Sequence, residues 1–273
     1  MSPSPSAVVS CERDLSQITE EMTSAGGTDI GYLRAHFRRF RRTKELFEQT
    51  WPNRGGRVLD IGAHWLHQAY LYSRDGYEVT AADFGSTLAL DSVRRLAASR
   101  RIRLVVYDEI ESGRAFETID DSSFDVILFT EILEHLTFNP VAMWRQVYRM
   151  LSPGGRIIVT TPNFYALRGR LWDARRFARR LGGGIPVDDI LRTPTYGHHW
   201  KEYSLREVIR YFSVLSTDFV PHKALYVEDY YGAPSYGPAA ALVERAIRAL
   251  RPNLHLEFQL CSKQRGIEIV PSW

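Results

Sequence analysis

The chemistry legible in this chain starts with three acids. Asp60 closes the apolar run "RVLDI" (57–61), Asp83 closes "YEVTAAD" (77–83) and Asp108 closes "IRLVVYD" (102–108). Carboxylates at three consecutive strand ends can accept hydrogen bonds from ribose hydroxyls and an exocyclic amine, but would repel a pyrophosphate. Such a set suits a nucleoside and disfavours a dinucleotide. Gly62 follows the first run and allows a tight turn in which backbone amides approach a ligand ahead of a helix N-terminus. Beyond it stand Ala63, His64, Trp65 and Leu66, where turns of this kind usually carry further glycines. The amides of Ala63 and His64 can still donate.

A second group lies in "TEILEH" (130–135). A helical turn starting just after the fourth apolar run would place Glu131, Glu134 and His135 at i, i+3 and i+4, on one face. Two carboxylates and an imidazole can hold a hard divalent ion such as Mg²⁺ or Mn²⁺. "YGHHW" (196–200) offers a fourth ligand at His198 or His199. The plainer alternative is a Glu131 that caps backbone amides and a local Glu134–His135 pair.

These residues need a scaffold. "RVLDI", "YEVTAAD", "IRLVVYD", "FDVILFT" (124–130) and "GRIIVTT" (155–161) have the length and composition of strands. Between them, "LHQAYLYSR", "TLALDSVRRLAAS" and "PVAMWRQVYRMLS" have helical periodicity. Their alternation predicts a mostly parallel sheet covered on both faces. "LSPGG" (151–155) supplies a helix stop and a tight turn. Ser204 and Glu207 form a capping box ahead of "LREVIRYF". Strands are expected near 217–227 and 254–263, with a helix over 237–250. An amphipathic helix is expected over 29–50, with Leu33, Phe37, Phe40 and Phe47 on its apolar face. Residues 1–28 are rich in Ser, Pro, Gly and Thr and predict a poorly ordered tail.

Composition narrows the partners. With 44% hydrophobic residues and a formal charge of +3, the chain suits one large globular domain over 29–273. That charge does not by itself imply nucleic acid, although arginines cluster in 34–42 and 174–180. No apolar run approaches the roughly 20 residues needed to span a bilayer. Cys11 and Cys261, the only cysteines, have no disulfide or metal spacing, so a reducing cytoplasm is expected.

Together, the element order, "VLDIGAHW", "FDVILFTEILEHL" and "VYRMLSPGGRIIVTTPN" resemble the class I S-adenosylmethionine-dependent methyltransferases over about residues 55–163. The resemblance implies a Rossmann-like, doubly wound α/β sheet of seven strands with the last antiparallel; the sequence itself adds an N-terminal helix and C-terminal insertions at about 164–203 and 228–253, which lie where a substrate cover would sit. It implies that the first turn, Asp60 with Gly62, Ala63 and His64, binds the methionine part of S-adenosylmethionine. It places Asp83 at the ribose and Asp108 near adenine. Phe84 and Thr130, beside Asp83 and at the end of the fourth strand, complete the expected cofactor set. "TEILEH" with "GHHW" is similar to segments of small-RNA 3′-end 2′-O-methyltransferases and ubiquinone-pathway O-methyltransferases, where such residues are associated with a divalent metal. The working metal set is therefore Glu131, Glu134, His135 and His199, with Glu134, His135 and His199 as catalytic candidates.

"TYGHHWKEY" (195–203) and "EDYYGAPSYG" (228–237) are dense in Tyr and Trp beside polar groups. They suit a sugar ring, an aromatic small molecule or an unstacked base; a polar, aromatic-lined cover leans toward a sugar or glycoside hydroxyl. The plainer alternative puts Trp200 and Tyr203 in the core beside the capping box, and for Trp200 that is the expectation. Two further readings are an RNA 2′-O-methyltransferase gripping phosphates with the arginine clusters, and a non-catalytic scaffold, possible because of the altered turn. A homodimer is a further expectation.

Overall fold

Strand ends place the acids. The computed structural model describes residues 5–26, 29–51, 55–167, 197–228 and 238–271. "ARRFARR" (174–180) and the glycines at 182–184 lie outside these residues, as do 229–237 of the second aromatic segment. Seven strands form one sheet in the order β3-β2-β1-β4-β5-β7-β6. The chain divides into two compact units, Met1–Asp108 and Glu109–Trp273.

In the first unit, β1 (Arg57–Ile61), β2 (Glu78–Asp83) and β3 (Arg103–Val106) pair in parallel, with Asp60 opposite Ala81 and Asp83 opposite Val106. Their carboxyl ends are therefore aligned. The interleaving helices are α3 (His67–Arg74), α4 (Gly85–Leu88) and α5 (Asp91–Arg100). The single helix expected over 87–99 is broken because Leu90 is extended (φ −61°, ψ 131°), and Asp91 then opens α5 at the end of the helix dipole that favours an acid.

Two helices precede β1. In α2 (Ile30–Glu48), Asp29 caps the first turn by accepting the Tyr32 amide at 2.8 Å. Leu33, Phe37, Phe40 and Phe47 are buried, as their spacing predicts. The expected tail is instead largely helical, forming α1 (Pro5–Ser24). Ile18 and Met22, one turn apart, are buried, while Glu21 accepts from the Tyr70 hydroxyl (2.6 Å) and Arg100 (3.0 Å). Composition hid this because the Pro, Gly and much of the Ser flank a short apolar stripe.

In the second unit, β4 (Phe124–Thr130) pairs in parallel with β5 (Leu151–Pro162). The helix α6 (Val141–Met150) lies between them in sequence. "LSPGG" is a helix stop, but it belongs to β5 as an irregularity: Phe124 pairs with Leu151 and Val126 with Arg156, with Gly154 at φ 80°. The capping box is present, and Ser204 and Glu207 start α7 (Leu205–Leu215). Then come β6 (Phe219–Val227), α8 (Pro238–Ala246) and β7 (Asn253–Leu260). β7 runs antiparallel to both β5 and β6, which gives the expected antiparallel last strand. Phe212 of α7 stacks on Phe258 of β7 at 4.0 Å. No described helix is long and apolar enough to cross a membrane.

Candidate functional site

The turn after β1 preserves an unusual backbone without the usual residues. Gly62, His64 and Leu66 all have positive φ, at 75°, 48° and 66°. Glycine adopts this region freely, whereas a residue with a Cβ pays roughly 1–2 kcal/mol there. Hydrogen bonds and packing hold the turn. Gly62 and Ala63 donate to the Ala82 carbonyl, and His64 donates its amide to Asp83 Oδ2 at 2.7 Å. Leu66 is fully buried and its carbonyl accepts the Tyr70 amide that continues α3.

Asp83 does more than offer lone pairs to a ligand. Its other oxygen accepts the Phe84 amide at 2.7 Å, so one carboxylate joins the turn after β1 to the turn after β2. Burial raises its pKa, and the two amides oppose that rise. Asp108 accepts the Gly85 amide at 3.2 Å, leaving its second oxygen beside the same turn. Asp60 is buried. Burial first, and then the Asp83 charge, push its carboxyl up to about 8. Asp60 Oδ2 and His64 Nδ1 have no hydrogen-bond partner among the described residues. A buried, unsatisfied carboxyl oxygen next to left-handed amides fits the cationic amino group and polar edge of an adenosyl amino acid. The retained lone pairs of Asp83 and Asp108 fit its nucleoside. Thr130 lies half-buried at the end of β4 in the other unit.

Sequence reasoning missed a ring cluster around this turn. Tyr32 stacks on His36 (3.9 Å) and His67 (5.7 Å) and meets His64 and Trp65 edge-on at 5.1 and 5.0 Å. Burial is the main cause that lowers His36 to about 4 and His67 to about 3. The aromatic density of "GYLRAHF" and "HWLH" was the available signal.

The second unit assembles the other group. Glu134 is 1% exposed and Oε2 accepts from the Thr161 hydroxyl at 2.9 Å. His135 Nδ1 lies 3.0 Å from the His198 carbonyl, which can only accept, so Nδ1 carries a proton and in the neutral imidazole Nε2 would offer a lone pair. The His135 and His199 rings meet edge-to-face at 4.8 Å. Ligand atoms of Glu134, His135 and His199 lie within 4.8 Å of one another. Bonds of about 2.1 Å put opposite ligands about 4.2 Å apart, so a small closure would let the three share a divalent ion.

Glu131 stands outside that trio, and the regular helical turn expected for "TEILEH" does not form. Glu131 leaves β4 in the left-handed region (φ 55°), its amide donating to the Thr160 carbonyl at 2.8 Å. Ile132 is not helical (φ −123°), and only Leu133–His135 form a short 3₁₀ turn. The i, i+3, i+4 relation is therefore lost. Glu131 still acts on His199 through its charge, opposing the burial that lowers the His199 pKa. His198 contributes its carbonyl to His135, with its side chain buried.

Aromatic residues follow β5 and His199 in sequence. Trp200, expected in the core, is 46% exposed: its amide donates to the Glu134 carbonyl at 2.7 Å, and its ring meets His198 edge-on. Tyr203 is buried and bridges to Asn163, and the Phe164 amide donates to its carbonyl. Phe164 and Tyr165 thereby stay exposed on the segment after β5.

Comparisons with known proteins agree with the fold. A family model described as a methyltransferase domain matches residues 32–214. A ubiquinone biosynthesis O-methyltransferase of Xanthomonas oryzae pv. oryzae (strain PXO99A) is 33% identical over 149 residues, covering 55% of this chain and 56% of that protein. The chain thus spans little more than half the length of that curated relative. Among solved structures, an S-adenosylmethionine-dependent methyltransferase from Mesorhizobium loti superposes with a TM-score of 0.52 at 18% identity, covering 82% of this chain and 97% of its own. The [4+2]-cyclase SpnF superposes with a TM-score of 0.51 at 19% identity, covering 81% and 80%. At these identities the likeness is one of fold, and a fold shared with a cyclase leaves the reaction to be argued from the site.

Proposed function

Because the chain belongs to the methyltransferase-domain family, within the class I S-adenosylmethionine-dependent superfamily, we propose that it transfers a methyl group from S-adenosylmethionine to a hydroxyl of a small acceptor. The observation that carries the transfer to oxygen is the Glu134, His135 and His199 trio in the second unit. Bound S-adenosylmethionine supplies a methyl group already activated by its sulfonium, so the protein's main task is alignment. Asp60 offers a buried carboxyl to the methionine end, while Asp83 and Asp108 offer lone pairs to the nucleoside.

On the acceptor side, His135 is held in the tautomer that can take a proton at Nε2, and Glu134 is fixed by Thr161. A divalent ion held by Glu134, His135 and His199 would supply a Lewis acid for the acceptor oxygen. Two imidazoles and one carboxylate form a softer set than the two carboxylates with two imidazoles expected from sequence, favouring Mn²⁺ over Mg²⁺.

The acceptor's shape is read from exposed rings on the segments that follow β5 and His199. Exposed Trp200, Phe164 and Tyr165 suit a flat ring carrying the hydroxyl, and the relative named for ubiquinone biosynthesis favours such a ring over a sugar. Incubation with S-adenosylmethionine, Mn²⁺ and panels of hydroxylated aromatic and sugar acceptors tests this. S-adenosylhomocysteine should appear with an aromatic acceptor, and its absence with every acceptor would contradict methyl transfer to oxygen. Production with sugars alone would correct the acceptor class.

A further inference from the structure

We propose that Tyr32 is a positioning residue for the methyl donor: its ring clamps His64 and so holds the turn after β1 in the left-handed geometry that glycines would otherwise supply. The inference rests on the donor reading given above, and it concerns residues of the first unit alone.

The geometry has three parts. Alternate residues of the turn, Gly62, His64 and Leu66, share the left-handed region, but only the first is a glycine. The other two therefore need something to hold them there. Leu66 has it in burial and in the Tyr70 amide bonded to its carbonyl. His64 has two restraints, its amide bond to Asp83 and the rings around its imidazole. The Trp65 ring, 3.8 Å away, is its own sequence neighbour and moves with the turn. Tyr32 comes from α2, where the Asp29 cap fixes the first turn and with it the origin of the Tyr32 side chain.

The ring of Tyr32 is itself held by His36 on its own helix and by His67 in the first turn of α3. It thus spans from α2 to both ends of the strained turn. The pairing is a substitute for sequence: a bulky residue at 64 loses glycine's freedom and gains a surface on which a neighbouring helix can bear. Because the His64 amide and Asp83 are bonded, letting the turn relax would also release the carboxylate that faces the ribose. Donor affinity then depends on a ring that need not touch the donor.

A double-mutant cycle read by S-adenosylhomocysteine calorimetry tests this. Tyr32→Ala should weaken binding about tenfold, while Tyr32→Phe, which keeps the ring and loses only the hydroxyl 3.4 Å from Arg39, should stay within about twofold. In a His64→Gly background the turn needs no clamp, and Tyr32→Ala should cost no more than about twofold. Equal losses in both backgrounds would show a merely structural Tyr32 and overturn the proposal. So would unchanged binding in Tyr32→Ala. Circular dichroism and the melting temperature of each variant identify any that fails to fold, and for such a variant Tyr32→Leu in both backgrounds gives the same comparison. Failure of the wild-type protein to bind would overturn the donor reading and the clamp with it, whereas binding without the predicted coupling would overturn the clamp alone.

Discussion

The turns that follow β1 and β4 use one backbone device for two kinds of chemistry. Each places a non-glycine residue in the left-handed region just beyond a parallel strand, His64 in the first unit and Glu131 in the second. After β1, the device gathers backbone amides and a ring cluster around buried acids, a surface for a neutral nucleoside and a charged amino-acid end. After β4, the chain turns and Glu134 and His135 meet His199, with ligand atoms close enough that they could hold a metal ion. The first turn is closed by near neighbours and α2; the second is completed by a segment distant in sequence.

If the division is real, substitutions should separate donor binding from turnover. The largest separation is expected for Glu134→Gln. This substitution replaces a buried carboxyl with an amide and should lower turnover at least 100-fold while leaving S-adenosylhomocysteine affinity within about twofold; steady-state rates and calorimetry on the same preparation check it. An equal loss of both would erase the comparison. Asp83→Asn acts from the other side. Losing charge-assisted bonds to the His64 and Phe84 amides costs about 1.5–3 kcal/mol, so donor affinity should fall about ten- to 100-fold.

Acidity sharpens the contrast. The Asp60 carboxyl, raised to about 8 in the folded protein, contributes stability that is present at low pH and lost as pH rises toward 8. The lowered His36 and His67 contribute in the opposite sense: their stability is present above the ordinary histidine pKa and lost as pH falls from about 6.5 toward 4. Asp60→Asn should therefore raise the melting temperature at pH 8 more than at pH 5 while weakening donor binding, as thermal denaturation at the two pH values would show. The smallest effect on folding is expected for Trp200→Ala. Its exposed ring should change stability by less than about 0.5 kcal/mol while raising the acceptor KM severalfold with donor affinity unchanged.

Much of the donor side was legible because its signals are local. Carboxylates at or near the ends of the short apolar runs marked Asp60, Asp83 and Asp108; the register sets Asp60 beside Ala81 and Asp83 beside Val106, and Asp108 lies two residues beyond β3. The role of Asp83 in bonding two turns was not legible, since it depends on where the His64 amide points. On the acceptor side, the spacing of Glu131, Glu134 and His135 suggested a helical face, yet a left-handed Glu131 displaced the first member of the set. Helical spacing says nothing of a residue that leaves a strand through such a turn. Trp200 misled for a related reason: its backbone, rather than its ring, is the part tied to Glu134. The α1 helix was hidden because two buried apolar residues, Ile18 and Met22, carry little weight against Ser, Pro and Gly in a composition count.

The central claim is that donor binding belongs to the first unit and metal-assisted transfer to the second. Calorimetric titration of the wild-type protein with S-adenosylhomocysteine, in the presence and absence of EDTA, tests it most directly. The account predicts the same affinity in both conditions, with methyl transfer lost on chelation and restored by Mn²⁺. Binding abolished by EDTA, or absent in both conditions, would contradict it.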